Sequence, residues 1–313
     1  MRLLIYLPLL IPALAAAAAR PLAGRLEPRR ATWLLTLATV ALAGCSMAAL
    51  ALLAASAAAR FPVLATLAHY SQPVVRRGDA TSAVTGAAAA LLLTGAALAV
   101  VVVFRRRARA LAESYRRAAR HRQDGLVVLP GPAIEAYALP GWPGRIVVSA
   151  RLLDALDTGG RAALLAHERA HLAARHHLFT TVAHLAAAAN PLLLPVARTV
   201  DYTVERWADE HAARVTGDRH LVAATIAQVA LLATPRPPQM AQATLGIVRP
   251  PRRVSLAWAG PVPRRVAALL APVPPRRTWL LAAAALVIML AGVSALQAAR
   301  DLHALLELAR ASH

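Results

Sequence analysis

Four uncharged apolar stretches limit what this chain can become. A helix needs roughly 20 consecutive apolar residues to cross a bilayer. Leu3 to Ala19 is apolar apart from Tyr6, though Pro8 and Pro12 interrupt it. Trp33 to Ala59 and Ala83 to Phe104 carry no charge, and the latter ends against Arg105, Arg106 and Arg107. Thr278 to Ala299 follows Arg276 and Arg277 and closes at Arg300. The sequence therefore predicts a membrane region over 1–104 with three spans (3–19, 33–59 and 83–104). A domain over 105–275 follows, then a fourth span within 276–300 and a short external tail over 301–313. A cleaved leader is the alternative for the first stretch, but only Arg2 precedes it as a charge and another span soon follows.

Composition narrows the class. Of 313 residues 58% are hydrophobic, yet 35 Lys+Arg face 15 Asp+Glu for a net charge of +20. All the basic residues are arginine. High hydrophobicity excludes a disordered chain, and the single Cys45 excludes a disulfide framework or a cysteine metal cluster. That leaves a membrane protein with basic loops or an unusually apolar nucleic-acid binder. The densest basic run, Arg105 to Arg122, directly follows a span. This placement favours anionic lipid headgroups, at about 1 kcal/mol per basic residue, over direct nucleic-acid contact.

The same arginines orient the chain. Basic residues of short loops stay on the cytoplasmic side. Arg20, Arg25, Arg29 and Arg30 mark the first loop, which reads as Arg20 to Thr32, and the run after Phe104 marks the second basic region. Both are expected in the cytoplasm. The longer 60–82 loop and both termini are then expected outside.

The acids lie elsewhere. Eleven of the 15 fall between Glu113 and Asp218, as do 8 of the 11 histidines between His121 and His220. Within that third stands His167-Glu168-Arg169-Ala170-His171. Residues i and i+4 share a helix face, so both imidazoles can bind one zinc while the glutamate serves as base. Good helix formers surround the motif, with Gly159-Gly160 expected just before the helix. The bland alternative is two solvated histidines. Downstream, Glu205 and Asp209 again stand four apart on a predicted helix. Glu205 can complete a His₂Glu set, and Asp209 can accept the far N–H of a ligand histidine. A surface acid pair is the competing reading, with Arg206 and Arg214 close by.

Ala136 to Leu139 and Arg145 to Ser149, separated by a Pro/Gly turn, read as a β-hairpin. Such an edge can hold an extended peptide by strand addition, which nominates Ala138, Arg145 and Val147 as substrate-binding positions. His176 and His177 read as a continuation of the motif helix, facing solvent or headgroups. Phe179 to Ala197 reads as a helix of the domain broken at Asn190-Pro191 rather than a full span, and 234–275, rich in Pro and Arg, as a loop expected near the inner membrane surface.

The hairpin, then Leu152-Leu153-Asp154-Ala155-Leu156, then His167-Glu168-Arg169-Ala170-His171, then Glu205-Arg206-Trp207-Ala208-Asp209, occur in that order. Over roughly Ile134 to Asp218 the chain resembles the Glu-zincin membrane peptidases that include the HtpX heat-shock protease and the CAAX prenyl endopeptidase. Its layout of spans, together with Asn190-Pro191, resembles more closely the BlaR/MecR-type antirepressor peptidases. With 14 residues following Ala299, the penicillin-binding domain of that group is not expected here. The resemblance implies a mainly α chain with a small α+β zincin-like domain. It also implies one Zn²⁺ held by His167, His171 and Glu205, with Glu168 as general base and Asp209 orienting a ligand. The implied activity is zinc endopeptidase, its substrate a protein such as a winged-helix repressor. A quality-control protease of HtpX type and a non-proteolytic membrane transducer are the alternatives. An intramembrane protease is disfavoured by Arg161, Arg169 and Arg175 around the motif. Nothing in the residues speaks to oligomeric state.

Overall fold

The computed structural model describes residues 6–59, 83–119, 125–233, 261–272 and 278–311. The expected outer loop over 60–82, Arg120 and Arg122, and residues 234–260 and 273–275 of the expected Pro/Arg loop lie outside them. The chain divides into two compact units. One comprises 1–109, 179–201 and 275–313; the other comprises 110–178 and 202–274.

The first unit is built from helices α1 (Leu7–Arg25), α2 (Pro28–Ala58), α3 (Ala83–Ala119, to residue 109) and the last helix, Thr278–Ala311. Among the described residues, four helices are long and apolar enough to cross a membrane. Each extends beyond its apolar stretch. Hydropathy marks only the part that tolerates lipid, whereas arginine and alanine, both good helix formers, carry the coil onward. The expected loop from Arg20 to Thr32 accordingly shrinks to Leu26 and Glu27, because Pro28 occupies the first turn of α2. The expected tail after residue 300 is helical through Ala311. Small residues dominate the buried face of α2, among them Ala31, Thr39, Ser46 and Ala49. Small side chains let helix backbones approach closely where lipid supplies no hydrophobic drive. Gly86 shows how close: a Cβ there would overlap that of Ala57.

Asn190 also belongs to this unit. Its side-chain amide donates to Ser46 Oγ at 2.9 Å, and its Oδ1 accepts the Leu192 N–H. The expected helix break does fall here, with a 3₁₀ turn over Pro191–Leu193.

The second unit takes in the end of α3 from Ala110, then strands β1 (Leu126–Leu129), β2 (Ala136–Leu139) and β3 (Arg145–Ser149). β2 and β3 form the expected antiparallel hairpin, Ala138 opposite Ile146. β1 adds in parallel to the far side of β3, giving the order β1-β3-β2. Ser149 then caps the short α4 (Ala150–Ala155) by accepting the Leu152 N–H. Buried Ile146, Val148, Leu152, Leu156 and Leu164 join the sheet to the next helix, α5 (Thr158–Ala173).

The remaining helices are α6 (His176–Ala189), α7 (Leu194–Thr216), α8 (Arg219–Ala233) and α9 (Pro261–Leu270); the last helix, Thr278–Ala311, is α10. α9 replaces part of the expected loop. Pro261 is pre-set for a first helical turn, and Val266 and Leu269 then fall on one face, packed with Ala212, Ala213 and Val222. Arg219 fixes its end, donating to the carbonyls of Leu269 and Ala268 at 2.7 and 3.2 Å while pairing with Glu210.

Candidate metal centre

Helix α5 carries His167, Glu168 and His171. Its start is set by Asp157, whose carboxylate accepts the Gly160 N–H at 2.7 Å. Gly159 and Gly160 lie inside the first turn rather than before it. Helix α7 carries Glu205 and Asp209, and the whole site falls within the second unit.

The two Nε2 atoms of His167 and His171 are 3.1 Å apart, and each lies 3.6 Å from an oxygen of Glu205. Tetrahedral zinc with ligands at about 2.0–2.1 Å separates them by roughly 3.3 Å. The three donors therefore fit one ion. Among the described residues this is the one cluster of three or more such side chains compact enough to hold a metal. Asp209 is 1% exposed and its Oδ1 stands 3.0 Å from His167 Nδ1. The carboxylate accepts the Nδ1–H, which leaves Nε2 with the lone pair a metal requires. Glu168 is 7% exposed, and its carboxyl accepts a backbone hydrogen bond from Ala138 on β2.

Three of these residues also border a cavity of about 220 Å³. Leu152, Val222, Ile226 and Val229 give it an aliphatic wall, and His167, Glu168 and Glu205 line its polar side. The three nominated substrate-binding positions separate. Ala138 is on β2, whose outer side has no strand partner among the described residues. Arg145 and Val147 are on β3, the central strand, where β1 and β2 pair on either side and Val147 is fully buried. An added strand therefore has to approach β2 rather than β3.

Residues 103–189 match the model of peptidase family M48.

The M48 match covers the sheet, α4, α5 and α6, and so includes the His-Glu-x-x-His motif but stops short of Glu205 and Asp209. It supports a metallopeptidase function, and peptidases of this family are metal-dependent. Comparison with curated proteins and with solved structures returned no match.

Beyond the M48 segment, α9 brings a residue that sequence reasoning missed. Arg265 donates to both oxygens of Asp209, at 2.6 and 2.8 Å, and stands 2.8 Å from Glu205 Oε2. It is separated from Asp209 by 56 residues. The available signal was the pattern Pro261-Val262-Pro263 followed by arginines and a Val-Ala-Ala-Leu face, which starts a helix rather than a loop. A second missed residue is His176. The expected continuous helix ends at Ala173, and Arg175 adopts a left-handed φ of 51°. The turn brings His176 back against His171 in the interior, 1% exposed.

Electrostatics follow from these contacts. Burial opposes charge on His167, but the hydrogen bonds to Asp209 and Glu205 outweigh it and push it up to about 9. A proton and a metal ion compete for that nitrogen. Burial and the neighbouring His167 push His171 down to about 4. Burial alone would raise Glu205, yet the His167 hydrogen bond and Arg265 bring it down to about 2. For Glu168 burial prevails and raises the carboxyl, despite His167 and Arg265. Of the residues adjacent in sequence to the site, Tyr202 stacks beneath the Arg264 guanidinium at 4.2 Å and Arg206 is buried.

Proposed function

We propose that this chain is a membrane-bound zinc endopeptidase that hydrolyses peptide bonds of a cytoplasmic or juxtamembrane protein. The observation that carries the reading is the convergence of three metal-competent donors beside a buried carboxyl, Glu168, where His167, Glu168 and Glu205 line a largely apolar cavity. His167, His171 and Glu205 would hold the ion. A divalent ion there polarises the scissile carbonyl and acidifies water.

The chain's own groups supply the rest. Glu168 takes the proton of the attacking water and passes it to the departing amine nitrogen. Its raised pKa suits both halves of that exchange, and the Ala138 N–H holds the carboxyl in place. Asp209 keeps His167 in the required tautomer, and Arg265 offsets the charge of the two carboxylates. The edge of β2 receives an extended substrate backbone. The aliphatic wall formed by Leu152, Val222, Ile226 and Val229 receives an apolar substrate side chain next to the scissile bond. The arginines after Phe104 support a cytoplasmic catalytic unit, and a winged-helix repressor as substrate rests on resemblance to the antirepressor peptidases.

The test compares wild type with Glu168→Gln, purified in detergent with measured zinc content, against unfolded casein and a candidate repressor. Both proteins should carry one zinc, with turnover about 10²–10⁴-fold lower in the variant. Equal cleavage by both proteins would overturn the enzymatic reading, and wild type without zinc affinity would overturn the site.

A further inference from the structure

His176 has no part in the reaction as proposed, yet it is placed with care. Its Nδ1 stands 3.1 Å from the Nδ1 of His171. The two rings are nearly perpendicular, at 89° with centroids 4.8 Å apart. The His176 ring also packs against Trp207, centroid to centroid 4.6 Å. Its Nε2 is buried without a hydrogen-bond partner. Leaving such a nitrogen unsatisfied costs about 1–3 kcal/mol, a penalty that leucine or phenylalanine at this position would avoid. Packing alone therefore does not account for a histidine here.

Proton counting does. On the metal-site reading above, the His171 Nε2 that faces His167 and Glu205 keeps its lone pair. The single N–H of the neutral His171 ring then sits on Nδ1. Two ring nitrogens at 3.1 Å share one proton, so the His176 nitrogen accepts it and His176 carries its own hydrogen on Nε2. We propose that His176 is a positioning residue: it accepts the His171 Nδ1–H and so fixes the tautomer and ring plane of the second metal ligand. Asp209 performs the same task for His167. The difference lies in charge. Asp209 has Arg265 to balance it, whereas among the described residues no cation is shown paired with His176, and a neutral acceptor avoids adding an uncompensated buried charge.

The local backbone agrees. Had α5 continued, the residue five positions after His171 would point about 140° away around the helix, at 100° per residue. The left-handed Arg175 breaks the helix and returns His176 to the ligand. Left-handed backbone costs a non-glycine residue roughly 1–2 kcal/mol.

The experiment uses the full chain in detergent, stripped by chelation and titrated with Zn²⁺ against a chromophoric competitor. Wild type, His176→Phe, His176→Leu and His176→Gln are compared. The apolar variants should bind zinc about 10–100-fold more weakly, while glutamine, whose amide oxygen can accept the N–H, stays within about threefold of wild type. Cobalt-loaded Phe and Leu variants should show an altered visible spectrum, and the glutamine variant should not. Circular dichroism of the stripped proteins selects whichever apolar variant folds. Wild-type zinc affinity in the folded apolar variant overturns the proposal, as does an equal loss in the glutamine variant. Absence of zinc binding by wild type defeats the metal-site reading itself, and with it this one.

Discussion

Asp209 sits between two hydrogen-bond donors, with His167 on one oxygen and the Arg265 guanidinium across both. A carboxylate this deeply buried is stabilising only while paired. Arg265→Leu is expected to lower the thermal stability of the purified protein by about 3 kcal/mol, the usual cost of stranding one member of a buried pair. A melting temperature equal to wild type would show that Arg265 matters little to the fold. Asp209→Asn keeps the size but can present an N–H to His167. Its zinc affinity is expected to fall about 10–100-fold, read by the same competitive titration. How the site reads from sequence depends on distance along the chain. His167, His171, Glu205 and Asp209 were legible because four-residue spacing on a helix dictates a shared face. Arg265 was not, because its partner lies 56 residues away and only the folded α8–α9 pair brings them together.

At the level of elements, the termini of α5 determine where the chemistry sits. Asp157 caps its start, and Asp157→Ala should cost about 1 kcal/mol of stability, measurable as a lower melting temperature with zinc binding retained. The other end closes at Arg175, where glycine suits the left-handed backbone better. Arg175→Gly should therefore be stabilising by roughly 1 kcal/mol, and destabilisation would contradict the strained turn. No residue near position 175 signals that break, since the usual glycine is missing; this is why His176 reads as part of a continuous helix. The hairpin was legible from two β-prone runs around Pro140 to Gly144. β1 was not, because Leu126-Val127-Val128-Leu129 is a four-residue apolar run that periodicity cannot assign. Its pairing with β3 makes β3 the central strand and leaves β2 as an outer strand.

For the whole molecule, four candidate spans imply a protein that alkaline carbonate does not release from membranes, as fractionation can check. Recovery in the soluble fraction would contradict them. The apolar stretches located these helices well because a bilayer leaves few alternatives for an uncharged run of this length. Their ends were less legible, since lipid constrains only the apolar part of each helix. The excess of arginine likewise resolves by position: Arg25 closes α1, Arg116 and Arg117 stand in the last turn of α3, and Arg105 to Arg107 follow directly on its apolar stretch.

The separation between Asp209 and Arg265 has a temporal meaning as well. Ribosomes add about 5–20 residues per second, so the separation of 56 positions corresponds to roughly 3–11 s of synthesis. During that interval a nascent chain already holds every proposed metal donor, yet lacks the guanidinium that balances them. The charge balance of the centre is completed only when α9 is made, well after α5 and α7.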